Sequence, residues 1–142
     1  VYNFPPAKIF MGDAGSLVIG YMLGVLTCLT TYVGPGLHYY GALVPLVLLA
    51  VPLYDTASVI IIRLRERRNP MVGDRRHFSH RLVKRGMSVR SAVLTIYMCT
   101  VATAVAATFL PRADMFSAIL IFVQTIAILL VIAFMESGEV RP

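Results

Sequence analysis

Asp13 sits in N-F-P-P-A-K-I-F-M-G-D-A-G-S at residues 3–16, bracketed by Gly12 and Gly15. Pro5 and Pro6 keep a helix from starting before it, the glycines allow tight turns and close backbone approach, and Ser16 is of a type that caps helices well. A carboxylate at a helix mouth faces unpaired amides and a partial positive charge, so it stays ionised there. It suits a hard cation such as Mg²⁺, which takes one or two carboxylates plus substrate phosphates; Mn²⁺ is the alternative ion. Lys8 adds a second positive group. The bland alternative is a capped loop entering a helix.

A second segment, D-R-R-H-F-S-H-R-L at 74–82, holds His77 and His80 at a spacing that shares one helical face. Arg75, Arg76 and Arg81 surround them and Asp74 opens the run. Arginine forks match phosphate oxygens, and imidazole can donate a hydrogen bond or carry a proton. Two histidines with no nearby cysteine or second carboxylate make a poor zinc site, so a phosphate or pyrophosphate site fits better. A positively charged loop with incidental histidines is the bland alternative. Asp55, in P-L-Y-D-T at 52–56, is the third candidate. An acid inside an apolar segment is costly and marks function or support of a functional site, unless it merely reaches a watery vestibule or bonds Thr56 or a neighbouring helix.

The elements that must position these groups are apolar. Hydrophobic residues make up 58% of the 142 and charged residues only 14%, against about 25% charged in soluble domains. Windows 14–33, 37–62, 91–110 and 115–135 are apolar throughout, and Asp55 is the only formally charged residue in any of them. Each approaches or exceeds the roughly 20 residues that span a bilayer core. The pattern excludes a soluble enzyme, a disordered tail and a secreted disulfide scaffold; Cys28 and Cys99 read as small membrane-buried residues. It predicts an all-α, polytopic membrane helix bundle of about four spans. Pro45 and Pro52 should kink or break the second. Gly20 and Gly24 give the first a close-packing face.

Ten of the thirteen basic residues fall within 63–90, opposed only by Glu66 and Asp74. Loops rich in Lys and Arg stay cytoplasmic. That places 63–90, residues 1–13 and the C-terminal end on the cytoplasmic side, where the two polar segments can converge. Beside apolar spans the basic excess reads as topology and as affinity for anionic lipid or a phosphorylated substrate, not for nucleic acid. The chain opens on Val1, in loop sequence without a signal peptide, and reads as the C-terminal part of a longer protein.

Together these segments resemble the polyprenyl-phosphate N-acetylhexosamine-1-phosphate transferase family. The resemblance rests on residues 3–16, on P-L-Y-D-T at 52–56, and on G-D-R-R-H-F-S-H-R-L with Gly86 at 73–86, in the family's spacing. It is closer to the undecaprenyl-phosphate N-acetylglucosamine-1-phosphate branch than to the muramoyl-pentapeptide branch. The resemblance implies that Asp13 coordinates the catalytic Mg²⁺, that Asn3 lines the nucleotide-sugar pocket and that Phe10 stacks near the uracil. It implies that His77 and His80 bind the sugar phosphate or pyrophosphate, with Arg81 beside them. The implied partners are a UDP-N-acetylhexosamine, a polyprenyl (undecaprenyl) phosphate and membrane lipid. The implied location is a bacterial inner membrane; a homodimer is left open. The implied reaction gives polyprenyl-pyrophosphoryl-sugar and UMP. Two departures stand out: Ser79 replaces the penultimate loop histidine, and the family's adjacent aspartate pair is absent. The chain is therefore expected to be one part, residues 1–142, of a larger transferase domain and incomplete as an enzyme by itself. The alternatives are a non-catalytic module that binds anionic lipid or a partner subunit, and, less favoured, a transporter fragment built around the broken span and Asp55.

Overall fold

A computed structural model describes residues 8–9, 11–29, 34–67 and 77–137, the side chains of Cys28 and Ser137 excepted. The described elements are all helical. Helix α1 runs Gly12–Leu29, α2 Val44–Leu48, α3 Ala50–Arg65, α4 Phe78–Lys84, α5 Val89–Phe109 and α6 Met115–Ser137; short 3-10 turns occupy Tyr39–Leu43 and Leu110–Arg112. The protein is an all-helical, multi-pass membrane protein.

Two stretches, Val89–Arg112 and Met115–Glu136, are each long and apolar enough to cross a membrane. The second apolar window folds as two helical pieces, Tyr39–Leu48 and Ala50–Arg65, bent by 60°. If that pair counts as one span there are three among the described residues, which cover the first of the four apolar windows only to residue 29. The first window gives a shorter apolar helix, Gly12–Thr27, within α1, whose side chains lie largely exposed.

The bend has a simple cause. Pro52 has no N–H for the Leu48 carbonyl, and its ring clashes with that carbonyl one turn back. The chain breaks at Leu49, at φ −96° and ψ 11°, and bonding resumes with the Leu53 amide donating to the Leu49 carbonyl at 2.9 Å. Pro45 does no such damage. It lies in the first turn of α2, where its missing donor would be unpaired anyway.

Helix α2 packs on α5, α3 on α5 and α6, and α4 on the same two helices. In lipid there is little water for apolar groups to escape, so close contact of small side chains carries helix association. One core has that character: Val44 and Val47 meet Ala106, Ala107, Leu110, Ala113, Ala118 and Ile121. Buried Thr103 and Thr125 return their hydroxyl hydrogens to carbonyls of their own helices, at 3.0 and 2.8 Å. At that end the His38 amide donates to the Pro111 carbonyl at 2.8 Å, tying the two connections together. Asp114 then starts α6 by accepting from the Ser117 amide at 3.3 Å, and hydrogen bonds from Ser117 hold its carboxyl below the usual range.

The second core lies toward the other end, where Val51, Phe78, Leu82, Ala92 and Ile132 meet. Two of these belong to α4, a helix within the basic loop. Phe78 and Leu82, one turn apart, point into the bundle and are 3% and 1% exposed. The helix stops on Gly86, at φ +93°. The Gly86 amide bonds the Val83 carbonyl at 3.0 Å and the Met87 amide bonds the Leu82 carbonyl at 3.3 Å. This is a Schellman stop, which needs the left-handed conformation glycine adopts freely. Ser88 then caps α5, its hydroxyl accepting from the Ser91 amide at 3.1 Å.

Candidate functional site

Seating α4 by Phe78 and Leu82 fixes what its other side presents. His77, at its N-cap, and His80 are both exposed. Arg81, on the inward side with Phe78 and Leu82, has a side chain only 16% exposed.

Asp55, one turn into α3 beyond Pro52, reaches across to the start of α4. Its Oδ2 lies 2.8 Å from His77 Nδ1, and its Oδ1 accepts from the Phe78 amide at 2.8 Å. The carboxylate thus caps α4 from a neighbouring helix. An ionised carboxylate only accepts, so Nδ1 carries the hydrogen of the Asp55–His77 bond and Nε2 is left to meet a ligand. Arg81 Nη2 donates to Ser58 Oγ at 2.6 Å and to Glu136 Oε1 at 3.1 Å; Asp55 Oδ1 is 3.8 Å away. Tyr54 donates to the other Glu136 oxygen at 3.3 Å. Six residues from three helices, Tyr54, Asp55, Ser58, His77, Arg81 and Glu136, form one polar cluster where the apolar bundle ends.

An apolar cavity of about 420 Å³ lies between α2–α3 and α6. Leu46, Val47, Ala50 and Leu53 line one wall; Phe122, Ile126 and Leu129 line the other. Tyr54 also lines it and joins it, through its hydroxyl, to the cluster.

Of the residues singled out in the sequence, the structure brings together Asp55, His77 and Arg81. His80 shares the helix. Asp13 lies exposed in the first turn of α1, and the preceding Gly12 has φ +61°, a conformation strained for any other residue type. The helix starts at Gly12, so Ser16 lies inside it rather than capping it, its hydroxyl donating to the Asp13 carbonyl at 3.4 Å. Lys8 is exposed. Among the described residues, neither Lys8 nor Asp13 joins the polar cluster. Asn3, Phe10, Asp74, Arg75 and Arg76 lie outside the described residues. Tyr54, Ser58 and Glu136 escaped the sequence reading. Tyr54 and Ser58 flank Asp55 at helical spacing, which was a usable signal; Glu136 looked like the polar residue that ends a span.

Residues 1–31 match the family described as glycosyl transferase family 4. Over 132 residues the chain is 36% identical to a probable undecaprenyl-phosphate N-acetylglucosaminyl 1-phosphate transferase of Bacillus subtilis, covering 93% of this chain and 36% of the relative. Over 108 residues it is 43% identical to a decaprenyl-phosphate N-acetylglucosaminephosphotransferase of Mycolicibacterium smegmatis, covering 68% and 26%. The chain is similar to these polyprenyl-phosphate sugar-1-phosphate transferases. A third relative, the undecaprenyl-phosphate alpha-N-acetylglucosaminyl 1-phosphate transferase of Haemophilus influenzae, is 38% identical over 104 residues, covering 73% of this chain and 28% of the relative. The chain thus spans about a quarter to a third of the length of these transferases. No solved structure matches it.

Proposed function

We propose that the protein, at full length, transfers a sugar-1-phosphate from a UDP-N-acetylhexosamine to a polyprenyl phosphate, and that residues 1–142 form the C-terminal part of its membrane domain. The observation that carries this reading is helix α4, which holds the exposed His77 and His80 at a polar cluster that Tyr54 joins to an apolar cavity. That arrangement suits a substrate with a phosphate head and a hydrocarbon tail. The tail would follow the cavity beside Tyr54, and the head would meet the histidines.

In the proposed reaction a phosphate oxygen of the lipid bonds to the β-phosphorus of the UDP-sugar. The bond from that phosphorus to the bridging oxygen breaks and UMP leaves. Little covalent chemistry falls to the protein, so positioning and charge neutralisation dominate. His77, its Nδ1–H directed to Asp55, would in its imidazolium form donate Nε2–H to a diphosphate oxygen, and His80 would act beside it. Asn3, Phe10, Lys8, Arg75 and Arg76 are assigned to substrate binding, and Asp74 to support.

Asp13 is assigned to the metal. Among the described residues no three His, Cys, Asp or Glu side chains converge on one point, and Asp13 is the carboxylate we assign. That fits Mg²⁺, which keeps several waters and takes one or two carboxylates beside substrate phosphates; Mn²⁺ would fit the same donors. Bound there, the ion would neutralise charge on the diphosphate. The basic excess of residues 63–90 supports a cytoplasmic side for that segment, and the proposed location is a bacterial inner membrane.

The test is Asp13→Ala in the full-length protein. Transfer of labelled sugar-1-phosphate to polyprenyl phosphate should be abolished and the Mg²⁺ dependence lost. Membrane insertion and thermal stability should stay unchanged, because the Asp13 side chain supports nothing in the described fold. Near-normal turnover by the purified variant would remove Asp13 from the metal site.

A further inference from the structure

The residue that sets the site but stands outside the three polar segments is Glu136, at the end of the last helix. Its side chain is 11% exposed and both its oxygens are used, one by Tyr54 of α3 and one by Arg81 of α4. Arg81 in turn points inward. Its Nη2 serves Ser58 and Glu136, while Nε and Nη1 are shielded from solvent and have no partner among the described residues. A guanidinium held this way braces the helix it comes from. It is aimed at the bundle, whereas His77 and His80 on the same short helix face out.

We propose that Glu136 is a positioning residue: its carboxylate clasps Arg81 and so fixes the orientation of the helix that presents His77 and His80. The clasp complements Asp55. Asp55 pins the first residue of α4 and the His77 ring; Glu136 pins the helix one turn later. Held at its first residue and again one turn later, α4 cannot roll about its axis, and the two imidazoles keep a fixed direction. The catalytic part of this inference rests on the transferase reading; the clasp itself does not.

Two measurements on the full-length protein keep these apart. The first is trypsin cleavage after Lys84, followed by mass spectrometry in detergent. Glu136→Gln, which keeps the shape but weakens the hold on Arg81, should speed that cleavage severalfold, while Glu136→Asp should restore much of the protection. The second is kinetic. Loss of a charge-assisted hydrogen bond corresponds to about 10- to 150-fold, and we expect Glu136→Gln to lower kcat by about that range with the KM for the UDP-sugar little changed. In a His77→Ala background the same substitution should cost clearly less, because Glu136 acts through the helix that carries His77. A general loss of folding would not produce that non-additivity. Cleavage and kcat both at wild-type levels in Glu136→Gln, or fully additive losses with His77→Ala, would overturn the proposal. Faster cleavage in a protein whose wild type makes no lipid-linked sugar would support the clasp and sink the transferase reading.

Discussion

Among single residues, His80 and Asp55 separate chemistry from architecture. His80 is exposed and its side chain makes no bond to the described structure, so its removal should be silent in the fold. We expect His80→Ala to lower kcat/KM by about 10- to 150-fold, the worth of a charge-assisted hydrogen bond, with Tm near wild type. Asp55→Ala should do both kinds of damage. It strips the cap from α4 and the partner from His77, and should cost about 1.5–3 kcal/mol of stability as well as turnover. A thermal melt beside a kinetic assay distinguishes the two. If His80→Ala unfolds the protein or releases a bound metal, the loop is structural. The sequence exposed both residues for a reason: a carboxylate in an apolar window and a histidine pair among arginines are costly or unusual wherever they fall. It hid Glu136, since a glutamate closing a hydrophobic run is what any membrane span shows.

Among the elements, α4 is the one on which the site depends, and local sequence did not disclose it. Seven residues form no stable helix alone. It persists because Asp55 caps it, Gly86 stops it and Phe78 and Leu82 anchor it. The cap and the anchoring are tertiary, and the local sequence shows only an i, i+4 apolar pair and a glycine. Leu82→Ala should cost about 2–5 kcal/mol, the range for emptying a buried leucine site, and should lower kcat because the histidines lose their platform. A melt showing full stability would mean that α4 is not docked as described. The broken second span was more legible. Proline chemistry predicts its disruption, and the structure adds which proline matters: Pro52 bends the path and Pro45 merely starts a helix.

For the whole molecule, apolar run length gave the fold class, because few other folds need so many uncharged residues in sequence. Run length does not give the 60° bend of the second window, although its prolines announced a break. The exposed apolar surfaces of α1, α5 and α6 fit a protein that meets lipid. Which side the site faces is a testable matter. A Ser79→Cys variant should react with a membrane-impermeant thiol reagent in inside-out vesicles and not in intact cells, and a UDP-sugar should slow the reaction. Labelling from outside intact cells would overturn the orientation and the shared site with it.

The anchoring of α4 by core side chains has a consequence for heredity. Phe78 and Leu82 hold the histidine platform from beneath, out of reach of any substrate. A genetic screen scored only on product would return lesions at these two positions beside lesions at the histidines, with nothing in the phenotype to tell them apart. Quantifying the protein that survives in the membrane would sort them: alleles at the anchors should deplete it, and alleles at the histidines should leave its abundance intact.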